Sequence, residues 1–557
     1  MTFSAKLGGQ VKLRIATLVF TVLAVCWGSV PAGAHVGSPD IYAEGNAGPY
    51  RLLVTIRPPL VIPGVAEIEV RAVGGAAAGI SSIAIAPIPL TGEASLHPPV
   101  ADQMKQSGLE GGTDKSFYTG ALWIMASGSW QVRFTVQGSQ GHGVLSIPVP
   151  AASSSTKGMA TGLGIVLGIL GLLLVAGVVG IVGAAAREAQ LAPGAAPTTA
   201  GRKRAVIAMS AALVLMIAAV AGGKLWWNIE ADAYAKYVYK PLTMQATIDD
   251  HHTLHLSIED PGWLKTRKVD DFVLDHDHLM HLYLIRRPGL DVVYHLHPDQ
   301  VGPGKFDLAL PSMPAGVYSV YADVVHATGF PETLVTRLEL PPIDGRALSW
   351  DDAKGIALPV QPDSTGCPAK PALGAQFRLP DGYSMTWTNA STEPARTPEV
   401  FEFSLLDPGG KPAQDMAFYM GMVGHAAFVK DDGTVFAHVH PSGTVSMAAL
   451  IMAAAQNQPT NSEGGPKKDA MAGMPEMEDM GPDADIVKSG KPGAKKAANP
   501  PEKATPPKSA ASAIPNVVGF PYGLPTPGAY RIFVQMKHGQ TVETAAFDAC
   551  AGAPRAN

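Results

Sequence analysis

The sequence predicts a mainly β protein built from three antiparallel β-sandwich domains and a two-helix transmembrane hairpin. Three observations carry this. Short runs of alternating apolar and polar residues, separated by turn residues, fill 35–152 and resume near residue 240, as expected of half-buried strands. Two stretches, 159–186 and 205–227, are almost wholly apolar and as long as a bilayer span requires. A histidine-bearing hairpin, with the Pro-Gly turn and tyrosine strand that follow it, occurs twice, which implies tandem duplication and not a solenoid.

Composition sets the bounds. A chain of 557 residues is too long for one core. A net charge of −5 with 16% charged residues shows no polyanion-binding character, so no nucleic-acid partner is expected. Thirteen of the 16 histidines lie after residue 250, and the cysteines are only Cys26, Cys367 and Cys550.

In chain order, 1–34 reads as a signal peptide. Lys6, Lys12 and Arg14 precede an apolar run, and Ala32-Gly33-Ala34 supplies a cleavage site that would leave His35 as the new N-terminus; an uncleaved anchor is the alternative. A first sandwich follows at 35–152. The span 159–186 carries glycine spacing suited to close helix packing, and 205–227 ends in Lys224, Trp226 and Trp227, an interfacial belt. The loop 187–204 between them holds Arg187, Arg202, Lys203 and Arg204, which keeps it cytoplasmic and puts both flanks in the periplasm. A second sandwich is expected at 240–342 and a third at 367–552, the latter interrupted by a Pro/Lys/Ala-rich insertion at 456–515 expected to be disordered. Cys367 and Cys550 would pair in an oxidising compartment, contributing on the order of 4–5 kcal/mol through loop closure, or remain free thiols.

The chemistry concentrates in the hairpins. If the first turns near Gly289, His281 faces His297, and His295 shares their face, about 5–7 Å away. The second copy, with His425, His438 and His440, repeats the pattern; spacings are 14 residues from His281 to His295 and 13 from His425 to His438. Neutral imidazoles at this spacing suit Cu(II) or zinc, with His276, His278, Asp277 or His326 as further ligands or supports. Turn-capping histidines that never meet metal are the alternative. Met416, Met420 and Met422 precede His425, and thioethers favour Cu(I). The insertion carries Met471, Met474, Met477 and Met480, with nothing around them to pack against. His35 would chelate copper through its amino group and Nδ1, with His97 or His142 as a third ligand. No blue-copper cysteine–histidine pair, G-x-S-x-G, H-E-x-x-H, C-x-x-C or nucleotide loop is present, so no enzyme is expected.

The stretches HVGSPDIYAEGNAGPYRLLVTIRPP and GSWQVRFTVQG resemble YtkA-like and CopC-type periplasmic domains, and MHLYLIRR…YHLHPD…MPAGVYSVYADV with its later copy resembles poorly characterised bacterial envelope proteins associated with metal handling. The resemblance implies Ig-like or cupredoxin-like sandwiches, and His35 matches the N-terminal copper-binding histidine of CopC-type proteins. The expectation is a bacterial inner-membrane protein that sequesters or delivers copper in the periplasm, to a copper transporter or another membrane-complex partner. A non-catalytic assembly module is the alternative.

Overall fold

The computed structural model describes residues 40–553, except 75–78, 93–96, 98, 107–114, 157–158, 193, 361–366, 368–374 and 458–513. The signal segment 1–34, His35, Met471, Met474, Met477, Met480 and nearly all of the insertion lie outside the described residues.

The described chain is mainly β, with all paired strands antiparallel, and it carries three helices. Two sheets enclose the first core. One runs in the order Ile41–Ala47, Tyr50–Arg57, Gly64–Ala72, Phe117–Ile124, Lys105–Gln106; the other runs Asp102–Gln103, Ile80–Pro89, Gly128–Gly138, Gly141–Ala151. Alternation makes the core: Leu52, Val54 and Ile56 of one sheet meet Val132, Phe134 and Val136 of the other.

The strands around the candidate site are labelled β1 (His281–Arg287), β2 (Val292–Leu296), β3 (Gly316–Val325), β4 (Pro331–Leu340), β5 (Gly424–Lys430), β6 (Phe436–Val439), β7 (Gly528–His538) and β8 (Thr541–Ala551). Sheet order in the first repeat is β4-β3-β1-β2, extended by Ala353–Ile356, which lies beyond the expected 342 boundary. The second repeat runs Met416–Ala417, β7, β5, β6, with β8 on β7. Each is backed by a four-stranded sheet across its own core; Leu282, Leu284 and Leu296 point into one, Phe428, Val439 and Ile532 into the other.

The duplication is exact at the turn before β3 and β7. Tyr318 donates to the Pro314 carbonyl at 2.7 Å, and Tyr530 to the Thr526 carbonyl at 2.8 Å, four residues back in each case.

The opposite faces of the two sheets pack on each other. Tyr283, Ile285, Val293 and Tyr321 meet Ala427, Val429, Phe436 and Phe533, and Tyr321 stacks on Phe436 at 4.2 Å between centroids. Arg531 locks the seam, donating to the carbonyls of Leu290 at 3.0 Å and Leu358 at 2.6 Å. Phe436→Ala is expected to cost about 3–5 kcal/mol, read as an earlier midpoint in urea unfolding; an unchanged midpoint would mean the seam contributes nothing.

Helices α1 (Thr161–Glu188) and α2 (Thr199–Ala235) are long and apolar enough to cross a membrane, with mean hydropathies of 3.0 and 2.5 in their best windows. α1 has the expected length, shifted by two residues, and α2 exceeds its expected span at both ends. Thr198 caps α2, its hydroxyl accepting from Gly201 N–H at 3.0 Å. The glycine spacing of α1 is not used as expected. A Cβ at Gly183 would sit 2.6 Å from Met209 Sδ, but Gly168, Gly171, Gly177 and Gly180 meet nothing within 4 Å. The C-terminal end of α2 is tied down where the Tyr234 hydroxyl reaches Ser153 at 3.0 Å and donates to the Ile62 carbonyl at 3.1 Å.

A third helix, α3 (Met447–Ala455), follows the second histidine hairpin and was not expected from the sequence. Ser446 caps it, and Ala449, Leu450 and Ala453 insert into the first core, so the second repeat completes a neighbour's interior. The Cys367–Cys550 disulfide is formed, closing a separation of 183 residues.

Candidate metal centre

The hairpin registers place the histidines. β1 and β2 pair Leu282 with Leu296 and Tyr283 with His295, so one step on His281 comes opposite His297. β5 and β6 pair Ala426 with Val439 and Ala427 with His438, so His425 comes opposite His440. Side chains alternate, so all these histidines leave their own cores and point into the seam between repeats.

They form one cluster, not two separate hairpin sites. His281, His295 and His297 bring one nitrogen each within 4.8 Å of one another. The second set of three is His276, His425 and His440, with His276 from the first repeat standing where His438 was expected. The reason is face-to-face packing: ligands cross the seam. The turn Asp275–His278 holds His276 and Asp277 at φ of 52° and 67°, a conformation disfavoured for non-glycine residues. It aims the His276 ring at His425 and His440, with centroids 5.1 and 4.9 Å away. His438 lies between the sets, 4.5 Å from His440, 5.3 Å from His281 and 5.5 Å from both His295 and His425. His278 stacks on His297 at 3.8 Å. All eight hairpin and turn histidines therefore meet in one place.

Two polar residues missed at the sequence level exchange across the seam. β1–β3 pairs His281 with Asp323, and β5–β7 pairs His425 with Gln535, so Asp323 and Gln535 are equivalent. Asp323 of the first repeat faces His438 Nδ1 of the second at 3.3 Å. Gln535 of the second accepts from His295 Nδ1 of the first at 2.9 Å. The exchange describes an approximate two-fold relation between repeats.

The hydrogen bonds decide which nitrogens are free. His281 Nε2 donates to the Asp275 carbonyl at 3.0 Å, and His295 Nδ1 to Gln535. A neutral imidazole has one N–H. The remaining nitrogens, His281 Nδ1 and His295 Nε2, face each other as lone pairs 3.1 Å apart. His297 Nδ1 turns to Asp352 at 3.5 Å. In the second set, His276 Nδ1 donates to the Met420 carbonyl at 2.8 Å and His440 Nδ1 to the Val445 carbonyl at 3.2 Å. The other nitrogens of His276, His297, His438 and His440, and both of His425, are buried without a hydrogen-bond partner. Each such atom costs about 1–3 kcal/mol unless something binds it.

Burial pushes the imidazoles of His281, His295, His425 and His440 well below the usual range, and neighbouring histidines add to it. His276 and His297 are lowered for the same first reason. These six imidazoles are held neutral near pH 7, the state in which imidazole binds metal.

Other expected ligands fall elsewhere. His326 has both nitrogens engaged, by Asp271 at 2.6 Å and Glu332 at 2.9 Å, so it has no lone pair to give. Asp277 is solvent-exposed, and His97 and His142 are exposed on the first sheet pair. Met416 packs in the apolar core of the second repeat and Met420 beside Ala353 and Tyr419. Met420-Gly421-Met422 is the counterpart of His276-Asp277-His278: the same bridged turn, with φ of 50° at Met420 and 76° at Gly421. One repeat thus presents imidazoles where the other presents thioethers.

The cluster is reached through a cavity of about 830 Å³ between the sheet pairs. His281, His438, His440 and Asp275 line one part of it; Pro150 and Leu242, on the segments that lead to α1 and from α2, line another, with Leu60 from a loop of the first sheet.

Residues 377–475, which include His425, His438 and His440, match the family model described as Domain of unknown function (DUF8832). No curated protein matches. Among solved structures, a tetra-tandem repeat in the extending region of a large adhesion protein overlaps 88% of this chain and 71% of its own, at 8% identity and a TM-score of 0.14. A Salmonella alpha-2-macroglobulin mutant overlaps 93% of this chain at 9% identity and a TM-score of 0.18, and this chain spans only 24% of it. Overlaps at that level do not define a shared fold.

Proposed function

We propose that this chain is a membrane-anchored periplasmic protein that binds copper, or zinc, in the seam between two repeated sandwich domains, for sequestration or delivery and not for turnover. Three Ig-like or cupredoxin-like domains, the inner-membrane location and the outward orientation belong to this reading. So does the transfer partner, a copper transporter or other membrane complex. The resemblance to YtkA-like and CopC-type domains points the same way.

One observation carries it: buried imidazole nitrogens that face one another with nothing to bind. His281 Nδ1 and His295 Nε2 are both lone pairs at 3.1 Å, a separation natural to two nitrogens about 2.0–2.1 Å from one ion. Their opposite nitrogens are held by a carbonyl and an amide, the outer support that metal-binding histidines use. The two sets of three give room for two ions, with His278 and His438 beside them.

The test is metal analysis of the full chain purified in detergent and equilibrated with copper or zinc. About two or more ions per chain are expected, with a thermal shift equivalent to about 2.7 kcal/mol at a hundredfold excess over the dissociation constant. No uptake at sub-millimolar metal would overturn the reading.

A purely structural seam is the second reading, favoured by the carbonyl and carboxylate contacts that already hold one nitrogen of most of these rings. It predicts a melting temperature indifferent to metal and to chelator.

A further inference from the structure

The duplication places a second histidine–carboxylate group in each repeat, and the two copies differ in one informative way. β3–β4 pairs Val324 with Glu332, and β7–β8 pairs Met536 with Glu543. With Asp323 and Gln535 equivalent, His326 corresponds to His538 and Glu332 to Glu543. Asp271 and Asp415 each precede the first hairpin histidine, His281 or His425, by ten residues.

In the first repeat the group is closed by a cation. His326 bridges Asp271 and Glu332, and Glu332 also receives Arg267 Nη1 at 2.9 Å and the Tyr239 hydroxyl at 2.6 Å. Arg267 is buried and pairs with Asp260 as well. Its guanidinium offsets carboxylates that would otherwise repel in a poorly solvated place.

In the second repeat Lys411 stands 14 residues before His425, as Arg267 does before His281, but it is exposed, and among the described residues no lysine or arginine forms an ion pair with Asp381, Asp415 or Glu543. His538 Nδ1 faces Asp415 at 3.2 Å, and its ring stacks on Tyr383 at 3.9 Å. His538 Nε2 lies 2.8 Å from Asp381 Oδ2 but is buried without a properly aligned hydrogen bond. Glu543 is 8% exposed; its charged neighbours are Asp381 and His538, with no lysine or arginine among them. Burial first, then Asp381, pushes its carboxyl up to about 7. Asp381, His538 and Glu543 bring one ligand atom each within 4.8 Å of one another.

We propose that this group is a mononuclear zinc site, separate from the histidine cluster. Asp381, His538 Nε2 and Glu543 are the ligands, and Asp415 is the outer carboxylate that orients the imidazole. The ion occupies the electrostatic place that the Arg267 guanidinium fills in the other repeat. Two carboxylates and one imidazole form an oxygen-rich set that zinc accepts, with a fourth position open to water on the exposed Asp381 side. The inference does not depend on the function proposed for the cluster.

The experiment is zinc titration of the full chain in detergent against a chromophoric chelator, with cobalt(II) absorption reporting the ligand set. Variants are His538→Ala, the near-isosteric Glu543→Gln, and the cluster double variant His295→Ala/His297→Ala. One zinc equivalent, with its tetrahedral cobalt bands, should vanish in His538→Ala, fall at least tenfold in affinity in Glu543→Gln, and persist in the cluster variant. Glu543→Gln removes a buried carboxylate with no cation beside it, so its metal-free melting temperature should not fall; this guards against mistaking misfolding for lost ligation. Unchanged zinc uptake in both site variants would overturn the proposal, as would loss of all zinc in the cluster variant while its fold is retained.

Discussion

His295→Ala is expected to cost the cluster its first ion and the protein roughly 3 kcal/mol of stability. The residue is fully buried, stacked on Tyr283 at 4.1 Å, bonded to Gln535 at 2.9 Å and 3.1 Å from His281 Nδ1. Truncation leaves a cavity under Tyr283 and a buried amide oxygen without its donor, and each defect costs stability. The metal effect separates from the stability effect through Gln535→Leu, which keeps every imidazole and removes the amide partner of His295 Nδ1, leaving the Tyr419 hydroxyl at 3.3 Å. Loss of such a support weakens metal binding by about 10–100-fold, so Gln535→Leu should bind detectably and His295→Ala should not retain the first ion. The readouts are ions per chain by mass spectrometry and the urea midpoint. Full metal content in His295→Ala would sink the assignment.

The same pair of variants shows what the sequence could and could not disclose. Strand alternation and a turn centred on Gly289 fix the register of the first hairpin, so the His281–His297 pairing and the shared face of His295 were readable from local rules. The second hairpin followed by repetition. Gln535 and Asp323 were not readable, because they act across a seam between segments over 100 residues apart, and no local pattern says which outer face meets which. The exchange of His276 for His438 has the same origin. The Met420 turn was readable in principle: His276-Asp277-His278 and Met420-Gly421-Met422 stand at the same distance before His281 and His425. Helix α3 also had a signal, Ser446 ahead of an apolar run, but its destination in a neighbouring core had none. His538 was a lone histidine in sequence, and only its equivalence to His326 shows what it lacks.

Acidification below about pH 6.5 should destabilise the metal-free protein steeply. Six imidazoles, those of His276, His281, His295, His297, His425 and His440, have native values pushed down by burial. Above the unfolded value of 6.5 neither state takes a proton at these rings, and they leave stability independent of pH. Below it, the unfolded chain binds protons that the native seam excludes, so stability falls as pH falls, by up to about 1.4 kcal/mol per pH unit for each group. Several such groups acting together make a steep loss against a typical domain's roughly 5–15 kcal/mol. His326 works in the opposite sense. Its hydrogen bonds to Glu332 and Asp271 outweigh burial and raise its value, so its contribution is retained below 6.5 and lost as pH rises through the native value; one such group cannot balance six. Bound metal should shift the transition to lower pH, since protons must then displace the ion before the rings can charge. The check is a melting series from pH 7.5 to 5 with chelator and with saturating copper or zinc. A flat chelator series would mean the rings accept protons in place, and the seam would then be open to water and not the dry, neutral cluster that its buried lone pairs describe.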